Sequence, residues 1–137
     1  MSDAPQYAGA GGYFNDEIID NAGAGATVNA AYDAAADLLV RSILVSNAGA
    51  ADIDLDVIFK IDGGSDRFVA RVTIPATAGR DPAVPPVQLV DEAVLPGIPV
   101  DPNRQIILPA TVALRLKPAV VPGVGDDVHV VTLGSKF

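Results

Sequence analysis

Two runs of alternating apolar and polar residues, joined by a glycine-rich loop, restrict the fold of this chain more than any other feature of its sequence. The first run covers residues 52–61, the second covers residues 67–74, and the loop between them reads DGGSD. A period of two predicts a half-buried β-strand, and glycine readily takes the positive φ angles of hairpin loops. We therefore predict a β-hairpin whose apolar face, including Phe68, is buried. Arg67 and Arg71 should lie on the polar face, where opposite charges across the strands help to fix the register.

Proline dominates the second half of the chain. Ten of the eleven prolines lie between Pro75 and Pro122, and proline cannot donate a backbone hydrogen bond to a sheet. This half should therefore consist of short strands separated by stiff, extended connections, and its sequence shows neither a heptad repeat nor a helical run of ordinary length. Further strand candidates stand between turn residues along the whole chain: residues 13–19, 27–32, 38–47, 87–90, 104–108, 111–117 and 127–133.

Two of these candidates require a choice of interpretation. Residues 38–47, LLVRSILVSN, are almost continuously apolar, which predicts a central strand covered on both faces. The alanine-rich AAYDAAADLL at residues 30–39 also fits a helical turn, because alanine favours helix, although its β-branched surroundings favour a strand from residue 27. Together the patterns predict an all-β fold, an antiparallel, jelly-roll-like β-sandwich of about seven to eight short strands.

The length of 137 residues and the hydrophobic half of the composition predict one domain with a packed core. Aromatic residues make up only 5% of the chain, so that core should consist of valine, isoleucine and leucine. Residues 1–26 are rich in glycine and alanine, and we expect a flexible N-terminal arm that contains one short strand candidate. Residues 27–137 would form the sandwich.

The balance of charge excludes several classes of partner. The net charge is −8, the isoelectric point is near 4.3, and the nine basic residues are scattered singly, whereas nucleic-acid binding needs clustered Lys and Arg. No run approaches the ~18 apolar residues of a membrane helix, and no charged n-region precedes an apolar run. We therefore expect a soluble chain without an export signal, a nucleic-acid partner or a membrane partner.

Residues that carry metal or catalytic chemistry are sparse. The chain has no cysteine and a single histidine, His129, which excludes disulfides, thiolate sites and zinc sites with two histidines. Asp52, Asp54 and Asp56 would share one face of a strand at a spacing of about 6.6–7 Å, too far apart to converge on one calcium ion, so we interpret them as a solvated face. The GAGG and GAGAG segments lack the strand and helix that a phosphate loop requires. We expect no cofactor and no enzymatic activity.

Three of the seven aromatic residues, Tyr7, Tyr13 and Phe14, lie in the N-terminal segment. Such residues can anchor an arm on a partner surface, because buried aromatic side chains carry much of the binding energy of interfaces. The alternative is that they cap the core of their own sandwich, and the sequence favours neither. These three residues are the candidate partner interface.

The stretch SILVSNAGAADIDLDVIFKIDGG, with a hairpin return that ends in VTIPA, resembles a recurrent pattern in virion proteins of tailed bacteriophages. In those chains a strand ending in a Ser/Cys-Asn pair is followed by a small-residue turn, an alternating strand and an IPAG-like corner. RQIILPATVALRLKP and DDVHVVTLGSKF are similar to the later strands of the same pattern, so the resemblance covers residues 38–133. The acidic N-terminal 37 residues have no counterpart in it, and residues 79–103 are longer and richer in proline.

The resemblance implies a small β-sandwich built into a virus particle, namely a capsid decoration (cement) protein that binds the outer surface of a tailed-phage head and stabilises it. Its partners would be the major capsid protein and further copies of itself in a homotrimer, assembled in the host cytoplasm. The alternatives are a tail, fibre or head–tail joining subunit, and a non-catalytic ligand- or carbohydrate-binding β-module, although the chain has no Trp for stacking on sugars. Under the first interpretation, deleting residues 1–20 should leave a folded sandwich that attaches more weakly to the particle.

Overall fold

Antiparallel pairing of short strands accounts for the architecture of the residues that the computed structural model describes, which are residues 12–61, 63–95 and 105–136. Within these ranges the chain contains no helix. The strands are β1 (Gly12–Ile19), β2 (Val28–Ala31), β3 (Leu38–Asn47), β4 (Ile53–Ile61), β5 (Arg67–Ile74), β6 (Val87–Gln88), β7 (Ile106–Leu108), β8 (Val112–Pro118) and β9 (Val128–Lys136).

The strands form two sheets that pack face to face. Sheet A has the order β1-β9-β3, and the other edge of β3 pairs with β6 along one part and with β7 along another, whereas sheet B has the order β2-β8-β4-β5. When β6 and β7 are counted as one interrupted strand, the first strand pairs with the last, the second with the last but one, and so on inward to β4 with β5. This nested pairing is the topology of a jelly roll. The predicted antiparallel sandwich is therefore confirmed, and the strand candidate at residues 27–32, which is β2, prevails over the helical turn.

A glutamine side chain closes the gap between β6 and β7. The Gln88 Oε1 accepts hydrogen bonds from the backbone nitrogens of Ile43 (2.8 Å) and Val90 (3.1 Å), and its Nε2 donates to the Ser42 Oγ (2.9 Å). The backbone of β3 is thus paired where β6 has already ended, which matters because an unpaired buried N–H is costly. The predicted strand 87–90 is two residues long, and beyond it the Leu89 nitrogen still donates to the Ile43 carbonyl oxygen (2.9 Å).

The inner faces of the two sheets form the core, and as expected it consists of aliphatic side chains. Full burial of such a side chain contributes about 1.5–3 kcal/mol to folding. The largest fully buried side chains come from both sheets and from the connection after β6: Ile19, Leu38, Val40, Ile43, Val45, Leu55, Ile58, Ile74, Leu89, Leu95, Leu114 and Leu116.

A bulge in β3 keeps the buried apolar side chains before it and those after it on the same side of sheet A. Val40 lies opposite Gly134, but Ser42 lies opposite Leu133, so Arg41 is the extra residue. Without this extra residue, the alternation of the strand would place the buried side chains in the second half of β3 on the outer face of sheet A. The strand is central, as predicted. The prediction that both of its faces are covered is wrong, because Leu44 on the outer face remains 36% exposed.

A second bulge, in β5, reverses two sequence predictions. Val57 lies opposite Ala70 and Ile58 opposite Phe68, so Val69 is the extra residue. Phe68 is consequently 60% exposed rather than buried, and Arg67 lies opposite Phe59, away from the polar face to which we assigned it. Beyond the bulge Arg71 lies on the polar face, as predicted, directly opposite Asp56.

The short strand candidate in the N-terminal segment is β1, and it is an integral part of sheet A. It pairs with β9 along its entire length, from Gly12 opposite Ser135 to Ile19 opposite Val128. Ile19 is fully buried. Residues 12–19, which we placed within an arm spanning residues 1–26, therefore belong to the sandwich, whereas residues 1–11 lie outside the described part of the chain.

Candidate interaction surface

The outer face of sheet B carries the charges expected of a solvated sheet. Antiparallel sheets commonly pack one face on the core and wet the other, and here two ion pairs stabilise the wet face. The Arg71 Nε lies 2.7 Å from the Asp56 Oδ1, and the Arg115 Nη1 lies 3.2 Å from the Asp66 Oδ1. The remaining charged side chains that strand alternation places on this face are Asp54, Lys60 and Lys117.

The outer face of sheet A is different, because apolar side chains dominate it. Phe14 is 64% exposed and Leu133 is 46% exposed, and Ile18, Leu44 and Val131 lie on the same face. We call these five residues the apolar face. Contiguous exposed apolar surface on a soluble domain marks an interaction site more often than scattered single residues do.

Strand register brings the residues of the apolar face next to one another. Phe14 on β1 lies opposite Leu133 on β9, and Val131 lies opposite Leu44 on β3. Ile18 lies opposite His129 at the far end of the same pair of strands. Directly opposite side chains on one face of an antiparallel pair are separated by only about 4.5–5.5 Å at Cβ, so Phe14, Leu133, Val131 and Leu44 form a connected patch across three strands. Asp16, opposite Val131, and His129 lie on the same face between this patch and Ile18.

The sequence contained a signal for this surface, although we interpreted it differently. The nearly continuous apolar run of β3 predicts cover on both faces, and the run VHVVTL in β9 is similarly apolar in both parities. In the described part of the chain, the second sheet covers the inner side, whereas Leu44 and Leu133 remain exposed on the outer side.

The structure separates the three aromatic residues that the sequence grouped as an interface. Alternation along β1 turns Phe14 outward onto the apolar face and Tyr13 inward, where it packs against the core. Tyr13 therefore caps the core of its own sandwich, one of the two interpretations that the sequence left open. Tyr7 lies outside the described residues.

The hydroxyl group of Tyr13 is held by the backbone of Tyr32. Its oxygen accepts a hydrogen bond from the Tyr32 nitrogen (3.0 Å) and lies 3.4 Å from the Tyr32 carbonyl oxygen, to which it donates. Burial of the phenol raises the pKa of Tyr13 above its ordinary value of 10.0, and the hydrogen bond to Tyr32 only partly opposes that effect. Tyr13 is thus a neutral structural link between the sheets and is not available to a partner.

The acidic residues that we considered for a calcium site are engaged in hydrogen bonds along the hairpin. The Asp54 Oδ1 accepts from the Thr73 hydroxyl (2.7 Å), and the Asp52 Oδ1 accepts from the backbone nitrogen of Ala76 (2.8 Å). Together with the pair formed by Asp56 and Arg71, these contacts tie β4 to β5. Among the described residues, no group of three or more His, Cys, Asp or Glu side chains is arranged to hold a metal ion.

An apolar cleft of about 500 Å³ lies where the two sheets separate, between the β4–β5 hairpin and β7. Arg67 is its cationic lining residue, and Gly64, Ser65 and Pro109 complete the lining. The β5 bulge that turned Phe68 outward is also what brings Arg67 to this cleft. The walls of the cleft are apolar side chains from both sheets: Phe59, Ile61, Val69, Ile106, Ile107, Leu108 and Val112.

The loop that joins β8 to β9 displays apolar side chains on an anchored backbone. Val120 is 74% exposed and Val124 is 89% exposed, whereas Pro122 between them is buried. The Pro122 carbonyl oxygen accepts a hydrogen bond from the Asn21 Nδ2 (3.0 Å). We call residues 119–127 the valine loop. Its sequence, AVVPGVGDD, reads as an ordinary turn-rich connection, so sequence reasoning did not single it out.

Comparison with protein-family models, curated proteins and solved structures finds no match to this chain. Among the described residues there is also no helix with the length and hydropathy that a membrane span requires.

Proposed function

We propose that this chain is a non-catalytic structural protein of a virus particle, a decoration protein that attaches to the outer surface of a tailed-phage head through the apolar face. The observation that carries the proposal is the contrast between the two outer faces of one sandwich. One carries exposed apolar side chains on three strands, beside Asp16 and His129, and the other carries charged side chains joined by ion pairs.

The contrast between the two faces determines which side of the domain would contact the particle. Docking of the apolar face buries Phe14, Ile18 and Leu133, and each fully buried side chain of this kind contributes about 1.5–3 kcal/mol before the costs of association. The charged face of sheet B would then face the solvent. A flat patch of this kind suits a broad protein surface better than a small ligand, because small-molecule sites are concave.

Attachment of several linked copies to the phage head would compensate for the small size of the apolar face. A single patch of a few apolar residues is smaller than the standard protein interface of about 800 Å² per partner. Copies linked in a homotrimer would engage the shell together, so that their avidity exceeds the affinity of one patch by orders of magnitude. The jelly-roll topology occurs in viral capsid proteins among others, but a fold alone does not specify a function. The proposal therefore depends on the surface.

The first experiment is a count of this chain in particles purified from its source, made by quantitative mass spectrometry against the major capsid protein. We expect hundreds of copies in a simple ratio to that protein. A ring-sized count of about six to twelve copies would instead place the chain in the tail or neck. Its absence from the particles would overturn the virion assignment.

The second experiment tests the surface with a matched pair of variants in particles assembled with each version of the chain. Phe14→Ser together with Leu133→Ser should reduce the particle-bound copies at least tenfold while the isolated domain keeps its circular dichroism spectrum. Phe68→Ser is the control, because Phe68 has a similar exposure but lies on the charged face. Equal occupancy by all versions would contradict attachment through the apolar face.

A further inference from the structure

The apolar cleft and the valine loop lie at opposite ends of one strand. Val112 begins β8 and pairs with Ile61, and both residues line the cleft. Pro118 ends β8 opposite Leu55, and the valine loop follows directly. Seven strand residues at about 3.3–3.4 Å each separate the two features by roughly 20 Å. One copy of the chain therefore cannot fill its own cleft with its own loop.

We propose that the valine loop of one copy enters the apolar cleft of the next, so that the chain associates head to tail. The occupant of the cleft is a second copy of this chain. The cleft offers an apolar lining of the size of a ligand pocket, and the loop offers valines that the described part of its own sandwich leaves exposed. Because each copy carries both halves of the contact, the interface is heterologous, and association continues until a ring closes.

The charges at the two ends are complementary. Arg67 is the charged residue among those that line the cleft. Its neighbour Asp66 is engaged by Arg115 on the other face of sheet B. The valine loop ends in Asp126 and Asp127 and contains no basic residue. A loop that enters with its valines thus brings carboxylates toward the guanidinium group, and like charges do not meet.

The loop is held in one shape before it meets a partner. Besides the hydrogen bond from Asn21 to Pro122, the Asp126 nitrogen donates to the Gly123 carbonyl oxygen (3.0 Å) and closes a turn that presents Val124. Gly125, at the third position of that turn, has a φ of 82°, which a residue with a Cβ adopts only with strain. A preformed loop loses little conformational entropy on docking, and this raises the affinity of a small contact.

This inference concerns self-association, and it deepens the homotrimer of the proposed function by assigning the surfaces that link its copies. The two proposals can fail separately because they use different residues. Substitutions in the apolar face should leave self-association intact. Substitutions in the valine loop should leave the apolar face of each copy unchanged.

The first test is sedimentation velocity of the full chain between about 1 µM and about 1 mM, a range that covers weak contacts. We expect the wild type to form species larger than a dimer as its concentration rises. Val120→Ser with Val124→Ser should raise the dissociation constant at least tenfold, and so should Ile61→Asp at the mouth of the cleft. All three positions are exposed, and Ile107→Ser is a second cleft variant if Ile61→Asp disturbs the hairpin. Leu133→Ser is the control and should associate like the wild type.

The second test mixes the loop variant and the cleft variant in equal amounts. Each alone should be monomeric, but the mixture should form a dimer and nothing larger, because the wild-type loop of the cleft variant fits the wild-type cleft of the loop variant. A wild type that stays monomeric up to about 1 mM would overturn the proposal. So would variants that associate like the wild type, or a mixture that stays monomeric.

Discussion

The hydroxyl oxygen of Tyr13 lies 3.0 Å from the backbone nitrogen of Tyr32, and this contact joins the first strand of sheet A to the residue that follows β2 in sheet B. The phenol accepts one hydrogen bond from that backbone and donates another to it. A side chain that the sequence offered as an anchor for a partner thus fastens the two sheets of its own domain.

We expect Tyr13→Phe to lower the free energy of unfolding by about 1–3 kcal/mol, because it leaves the Tyr32 N–H without its acceptor. The pKa of Tyr13 is raised by burial above 10.0 in the folded state, so the unfolded chain loses this proton first as the pH rises. The stability due to the neutral phenol is therefore present below about pH 10 and is lost as the pH rises through the folded-state pKa. Urea unfolding at neutral and alkaline pH measures both effects. A Tyr13→Phe variant that loses stability above pH 10 as steeply as the wild type would contradict the assignment.

The bulge at Arg41 depends on a glycine in the facing strand. A Cβ placed on Gly134 would overlap the carbonyl oxygen of Leu39, which is backbone and cannot move aside. Gly134→Ala should therefore cost about 1–3 kcal/mol or more in stability, by the overpacking of a close contact. Gly63→Ala is the matched control, because Gly63 has a φ of 77° but a Cβ added there would meet no atom within 4 Å, and it should cost only about 1 kcal/mol of backbone strain. Thermal unfolding of the two variants gives the comparison, and equal losses would contradict it.

A buried threonine in β9 is expected to cost stability rather than supply it. Thr132 is completely buried, and its Oγ1 has no hydrogen-bond partner among the described residues. Thr132→Val replaces the hydroxyl with a methyl group of similar shape and should stabilise the fold by about 1 kcal/mol. Thr73→Val is the contrasting variant, because it removes the hydrogen bond to Asp54 and should destabilise slightly. Chemical denaturation of both variants tests the opposite signs, and a destabilised Thr132→Val would show that the hydroxyl is satisfied in solution.

Periodicity was sufficient to predict most strands of this fold. The strands over residues 38–47 and 67–74 have the predicted bounds, and Arg71 lies on the polar face as predicted, opposite Asp56. The bounds of these elements were predictable because residues 38–47 form an apolar run that ends before small turn residues, and residues 67–74 alternate between a glycine-rich loop and a proline.

The remaining features depend on single residues that alternation does not reveal. The extra residue Val69 exchanges the faces of Phe68 and Arg67, and only a pairing partner shows that a bulge is present. At the end of β6, the side chain of Gln88 takes the place of a backbone acceptor for the Ile43 nitrogen. The apolar face combines residues from three strands. A strand sequence that is apolar on both of its faces does not show whether the second face is covered by the same chain or by another.

For deletion of residues 1–20, the structure predicts a different outcome from the folded sandwich that the sequence predicts. Removal of residues 1–20 takes away all of β1, including the buried Ile19 and the link from Tyr13 to Tyr32, and it exposes the edge of β9. We therefore expect this truncated chain to unfold at a clearly lower temperature than the wild type and to aggregate, since a long unpaired edge invites pairing with other chains. Removal of residues 1–11 leaves β1 and its partners in place and is the matched control, with an expected melting temperature close to that of the full chain. Differential scanning calorimetry of the three chains measures the effect. A chain without residues 1–20 that melts with the wild type would show that β1 contributes nothing to the stability of the sandwich.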